Sequence, residues 1–183
     1  MNFAKAWLGE VQTIAAEIDP AAVDELAAQL VAVRIRKGRL FVLGLGGSAA
    51  NASHCVNDLR VRAGIAAFSP VDNVAELTAR ANDYGWKTTL YGMLKCSEIG
   101  RRDAILIFSG SGESKALLDA AVYAKVAKTT VLGILGTPDS SIGKVCDHAI
   151  VVPCPNADHR AGHSESFQAV IWHAVVDAIA EKR

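Results

Sequence analysis

The joint between one strand and one helix constrains this chain more than any other feature. The run Ala104-Ile105-Leu106-Ile107-Phe108 is unbroken apolar, and apolar residues at helical spacing begin at Leu117. Between them lies Ser109-Gly110-Ser111-Gly112-Glu113-Ser114. A fully apolar strand that passes into a helix through a Gly/Ser loop belongs to a parallel sheet covered on both faces. The glycines admit φ > 0 and close backbone approach. The helix start offers unpaired N–H groups at the positive end of its dipole, and the serines add neutral donors. These are the parts of a cradle for one phosphate monoester. The loop has no lysine and no G-x-x-x-x-G-K-[ST], which excludes a nucleotide P-loop.

The same alternation runs through the chain. Two helical patterns lead, one over residues 3–18 and one restarted by Pro20 with Val23, Leu26, Leu30 and Val33 on one face. They fall within residues 1–37 and are expected to pack on the sheet or on another subunit. Strands are expected at 40–43, 65–68, 104–108, 130–135 and 149–152, with a last helix over 164–181. Residues 74–96 read as helix interrupted around Asn82-Asp83-Tyr84-Gly85. With no linker, repeat or low-complexity tract, residues 1–183 read as one α/β domain, and ligands in such sheets bind beyond the carboxyl ends of the strands.

Composition narrows the partners. Lys+Arg and Asp+Glu are both 19 and the net charge is zero, which argues against nucleic-acid or membrane binding but not against a small anion at one local site. An apolar content of 51% with only 21% charged residues fits a folded chain that buries surface between subunits. Cys55, Cys96, Cys146 and Cys154 form no C-x-x-C pair and no zinc framework, so they read as buried free thiols in a reducing, cytoplasmic setting. The start of the chain has no basic segment followed by a long apolar run, and no stretch reaches membrane-spanning length.

A second glycine loop, Gly44-Leu45-Gly46-Gly47-Ser48-Ala49-Ala50-Asn51, follows the first strand. It superficially matches a dinucleotide loop, but no acidic residue ends the next strand to take a ribose hydroxyl, so no nucleotide cofactor is expected. A simple tight turn and a sugar-phosphate crevice shared with the serine loop are the other readings. His54 and Asp58, four apart, share one face of the helix after Ser48. Glu165 and His173, eight apart, share a face of the last helix. Two imidazoles and two carboxylates suit zinc or another divalent ion, and equally metal-free acid–base catalysis. Asn82-Asp83 reads either as a turn or as a contact to a sugar hydroxyl. The tract from Asp158 to His163 reads as polar and flexible; a mobile lid from which Arg160 reaches a substrate anion is one reading the sequence leaves open.

Taken together, Gly46-Gly47-Ser48-Ala49-Ala50, His54, Asp58, Asn82-Asp83-Tyr84-Gly85, the serine run and the stretch from Glu165 to His173 resemble the sugar isomerase (SIS) domain, and within it the phosphoheptose isomerases. The resemblance spans almost the whole chain. It implies a three-layer, Rossmann-like α/β sandwich with a five-stranded parallel sheet and two leading helices, assembled as a homotetramer with sites between subunits. It assigns the sugar phosphate to Ser109, Ser111 and Ser114, with Gly110 in the same loop, and sugar contacts to Ser48 and Asp83, with Gly47 and Asn51 beside them. It makes Asp58 and His173 the acid–base pair, with Glu165 as a further catalytic candidate, and it implies zinc on His54, Asp58, Glu165 and His173. Asp58 stands where the family has Glu, one methylene longer; Glu165 stands where phosphoheptose isomerases have Gln.

The expected activity is aldose–ketose isomerisation of sedoheptulose 7-phosphate to a heptose 7-phosphate through an enediol. A related seven- or eight-carbon substrate, a lyase or epimerase acting through the same enediolate, and a non-catalytic sugar-phosphate-binding or regulatory protein on the same fold remain the alternatives.

Overall fold

The structure, a computed structural model, describes residues 2–181. Helix α1 (Phe3–Glu17) is capped by Asn2, whose side chain accepts from the Lys5 N–H. Helix α2 (Pro20–Ile35) is capped by Asp19 through the Ala21 N–H, with proline in the first turn, where its missing N–H costs nothing. Strand β1 (Arg39–Leu43) and helix α3 (Gly47–Val61) follow, then β2 (Ala66–Phe68), α4 (Val74–Tyr84), α5 (Trp86–Cys96), β3 (Ala104–Ser109), α6 (Lys115–Val126), β4 (Thr130–Leu135), β5 (His148–Val151) and α7 (Arg160–Glu181).

The five strands are all parallel in the order β2-β1-β3-β4-β5. Side chains alternate across the pleat. Leu40, Val42, Leu106, Phe108, Leu132 and Ile134 pack against α1, α2, α3 and α7. Phe41, Leu43, Ile105, Ile107, Val131 and Leu135 pack against α5 and α6. The result is the expected three-layer sandwich. From β1 the chain steps outward to β2 and then returns to the other side of β1 as β3. That reversal opens a crevice beyond the carboxyl ends of β1 and β3, where both glycine-serine loops emerge.

Three expectations change. Asn82 and Asp83 lie inside α4, and the break between α4 and α5 falls at Gly85, whose φ of +84° is open to glycine and strained for other residues. The tract from Asp158 to His163 is not an irregular loop: a 3-10 turn at Ala157–His159 leads directly into α7, and His163 is fully buried against α1. The thiols are not uniformly buried, since Cys96 is exposed with its sulfur 2.9 Å from Arg80 Nη2. Burial raises the Cys55 thiol strongly, and burial followed by the Asp147 charge pushes Cys146 up to about 12.

At the amino edge of the sheet Asp103 gathers the turns together. Its carboxylate accepts from the Arg39 N–H at 2.8 Å, the Gly100 N–H at 3.0 Å and the Arg39 guanidinium at 2.8 and 3.2 Å. Burial pushes this carboxyl up, but the bonds from Arg39 and Gly100 outweigh it and hold it below the usual range. A depressed carboxyl stabilises the fold at neutral pH and loses that contribution as acid protonates it. Asp103→Ala is expected to cost about 3 kcal/mol in urea unfolding at pH 7, because it leaves buried donors and a guanidinium without their acceptor. The gap from wild type should narrow below the carboxylate range.

Candidate functional site

Residues 110–114 turn the chain from β3 into α6. Gly112 has φ +67°, and a Cβ there would collide with the Ser140 side chain. The Gly112 N–H donates to Ser109 Oγ at 3.0 Å and the Glu113 N–H to Ser111 Oγ at 3.2 Å, which fixes both hydroxyls. Ser114 occupies the N-cap of α6, yet its hydroxyl makes no capping bond, so it and the first N–H groups of the helix face outward as donors. Ser48, Ser109, Gly110, Ser111 and Ser114 line one cavity of about 230 Å³ with Leu45, Phe108, Leu117, Ala161 and Glu165. That is below the ~300 Å³ at which small-molecule pockets begin and suits the phosphate end of a ligand.

A carboxylate inside a phosphate loop repels its ligand unless it is held elsewhere. Glu113 is held: Oε1 accepts from the Ser141 N–H at 2.7 Å and Oε2 from the Ser141 hydroxyl at 2.6 Å. The Ser141 hydroxyl and then its N–H keep this carboxyl below its usual range. Glu165 behaves differently. Its carboxylate lies against Gly47, where a Cβ would overlap it, and it forms part of the cavity wall. Gly47 thus serves the close approach of α3 and α7. The Asn51 amide donates to the Glu165 carbonyl at 2.8 Å and to Gln168 Oε1 at 3.1 Å, so its hydrogens tie α3 to α7. Asp83 sits exposed on α4, accepts from Asn82 Nδ2 at 2.9 Å and lies outside the cavity.

Three of the four expected metal ligands converge. The ligand atoms of His54, Asp58 and His173 lie within 4.8 Å of one another. His54 Nε2 is 4.0 Å from Asp58 Oδ1, and His173 Nε2 is 3.9 Å from Asp58 Oδ2. Asn57 donates to Asp58 Oδ1 at 2.9 Å; Arg62, paired with Asp177, stands 3.8 Å from Oδ2. Asp58 is sheltered, with 13% of its side chain exposed, while the two imidazoles are more open at 58% and 42%. His173 stacks on Trp172 at 3.5 Å, and His54 stands edge-on to both rings.

The tautomer of His173 is set by its neighbour. Nδ1 lies 2.8 Å from the Ala169 carbonyl, which can only accept, so Nδ1 carries the proton and the neutral ring presents its Nε2 lone pair to Asp58. An imidazole oriented through a backbone carbonyl, beside a second imidazole and a carboxylate, is a donor set that fits a divalent cation. Glu165 does not join it. Eight residues on one continuous helix amount to about 12 Å of rise, so Glu165 meets the serine cavity while His173 meets Asp58. Helices α3 and α7 run side by side from cavity to cluster.

A second group went unnoticed in the sequence: Glu10, His159 and His163. The i,i+4 histidine pair was its only local sign, because Glu10 joins from 149 residues away. Hydrogen bonds from His159 and then His163 hold the Glu10 carboxyl below its usual range.

Comparison with known proteins agrees with this geometry. Residues 6–136 match the family model of the SIS domain. The chain is 32% identical to the phosphoheptose isomerase of Trichlorobacter lovleyi over 167 residues, which cover 88% of this chain and 82% of that relative. It is 31% identical over 182 residues to that of Geotalea daltonii, covering 94% and 89%. Its fold matches the structure of a phosphoheptose isomerase from Francisella tularensis with a TM-score of 0.86 at 21% identity, covering 99% of this chain and 95% of that one. The chain is therefore a member of the SIS-domain family, on its phosphoheptose isomerase branch.

Proposed function

We propose that the protein converts sedoheptulose 7-phosphate to an aldoheptose 7-phosphate, the serine cavity holding the phosphate and the His54–Asp58–His173 cluster acting at the other end of the sugar. One observation carries the assignment of roles: the Nδ1 proton of His173 is committed to Ala169, which leaves Nε2 as a base beside Asp58. In the ketose-to-aldose direction His173 Nε2 takes a proton from C1, leaving an enediolate with its negative charge on O2. The hydroxyl proton on O1 passes to O2, with Asp58 as the shuttling carboxylate, and a proton returns to C2. Atoms are conserved and no oxidant is needed. Acid–base assistance of this kind is worth about 10²–10⁴-fold, and holding the far phosphate adds the advantage of fixed orientation.

His54, Asp58 and His173 are also the side chains that would hold a zinc ion, whose charge would stabilise negative charge on the substrate oxygens; His173 Nε2 would then be a ligand, so its role as base belongs to the metal-free site. Glu165 stays on the phosphate side. Asp83, exposed and outside the cavity of its own chain, is in keeping with a homotetramer in which one subunit completes the site of the next. Exposed apolar side chains such as Val61, Phe68 and Val170 supply surface for such contacts. No described helix is long and apolar enough to cross a membrane.

The assignment is tested by incubating purified protein with sedoheptulose 7-phosphate and following the anomeric protons by NMR. A new aldose signal is expected, and its absence both with and without added zinc would overturn the substrate. His173→Ala should lower kcat by at least about 10²-fold with an unchanged circular dichroism spectrum. Ser114→Ala should raise KM about tenfold while leaving kcat nearly constant, since one hydrogen bond to a charged phosphate is worth about 1.5 kcal/mol.

A further inference from the structure

The amino-terminal helix meets the start of α7 through cation-binding side chains that the isomerase site does not use. Glu10 projects from α1, His159 from the 3-10 turn and His163 from the first turns of α7. His159 Nδ1 and His163 Nε2 approach the same oxygen, Glu10 Oε2, at 2.8 and 2.7 Å. Trp7 lies over the group, stacked on His163 at 4.0 Å and 27° and 5.0 Å from the His159 ring. His163 is fully buried, and Glu10 and His159 expose only 18% and 24% of their side chains.

Two ring nitrogens converge on one carboxylate oxygen here, and a third ring nitrogen is left buried without a partner. The Asn156 amide is oriented by its Oδ1, which accepts from the Asp158 N–H at 3.1 Å, so its Nδ2 donates toward His159 Nδ1, also at 3.1 Å. A ring nitrogen carries either a proton or a lone pair. His159 Nδ1 therefore either donates to Glu10, with the Asn156 amide turned to the same carboxylate, or accepts from Asn156 and turns its lone pair toward Glu10. His163 Nδ1 is buried without a partner. Nothing on that side of the ring fixes its proton, and Nε2 is open to acting as a ligand. A cation between the two nitrogens and the carboxylate takes the place of the two ring protons.

We propose that Glu10, His159 and His163 form a second divalent-cation site, suited to zinc, that fastens α1 to the start of α7. Two imidazole nitrogens, one carboxylate oxygen and a fourth position left to water make a zinc donor set. Bonds near 2.0–2.2 Å in a tetrahedron space ligands roughly 3.3 Å apart, so each histidine needs to draw back from the Glu10 oxygen by about half an ångström. The site is separate from the His54–Asp58–His173 cluster. Its consequence is local: Ala161, between the two histidines, lines the serine cavity, and Gly162 packs against the Trp7 ring. An ion here braces one wall of the phosphate end.

The test uses the full chain, stripped with chelator and reloaded with Zn²⁺ alone, followed by metal analysis per chain and hydrogen exchange of the α1 amides. His159→Ala and Glu10→Gln should each bind one zinc fewer than wild type and lose the zinc-dependent protection of α1. His54→Ala should keep that protection. Circular dichroism checks that each variant is folded, and the conservative Glu10→Gln serves if His159→Ala is not. Wild-type zinc content in a folded Glu10→Gln variant, or no zinc on wild type at all, would overturn the proposal. Because His54→Ala reports on the other cluster separately, failure here is distinguishable from failure of the isomerase reading.

Discussion

Helices α3 and α7 are far apart in the chain and must lie side by side for the site to exist. Their contact depends on a glycine at position 47, which leaves room for the Glu165 carboxylate, and on Asn51, whose amide binds the Glu165 carbonyl and Gln168. Once those are fixed, the helical repeat sets the other placements: Ser48 and Glu165 face the cavity, and two turns further on His173 faces Asp58. A register slip of one residue rotates a helix by about 100°. Such a slip would separate His173 from Asp58 and Glu165 from Gly47 together. The phosphate end and the chemical end of the site are two readings of one packing register.

On the proposed reading, the cavity takes a phosphate without a cation of its own. No lysine or arginine is among its lining residues; hydroxyls and the α6 amino terminus supply the donors, while Glu113 is tied back to Ser141. Neutral donors at a helix start bind a phosphate through orientation more than through net charge. A catalyst whose product carries the same phosphate as its substrate benefits from a grip that releases readily.

Much of the fold was legible because the strands are buried on both faces and read as unbroken apolar runs, and because Gly and Ser cluster where the backbone must turn at the carboxyl edge. His54 and Asp58 were legible as an i,i+4 pair for the same local reason. The eight-residue spacing of Glu165 and His173 fixes a shared face but not which neighbours each meets: the Glu165 carboxylate lies against Gly47 at the serine cavity, while His173 meets His54 and Asp58. Asn51 looked like a substrate contact because its partner helix lies more than a hundred residues on. The break after α4 belonged to Gly85 rather than to the polar pair before it, since backbone sign outweighs side-chain polarity there. The tract around His159 looked mobile because the residue that immobilises it, Glu10, sits near the other end of the chain.

The Asp103 clamp lies at the amino edge of the sheet, and the cavity and both glycine-serine loops lie at the carboxyl edge. The fastening and the chemistry therefore share strands but no side chains. Loops at the active edge can change length or polarity without touching the carboxylate that gathers β1, β3 and the turn before it. A fold divided in this way gives evolution a fixed hinge-pin on one side and a free palette on the other, so sugars of different length can be accommodated by editing one rim alone.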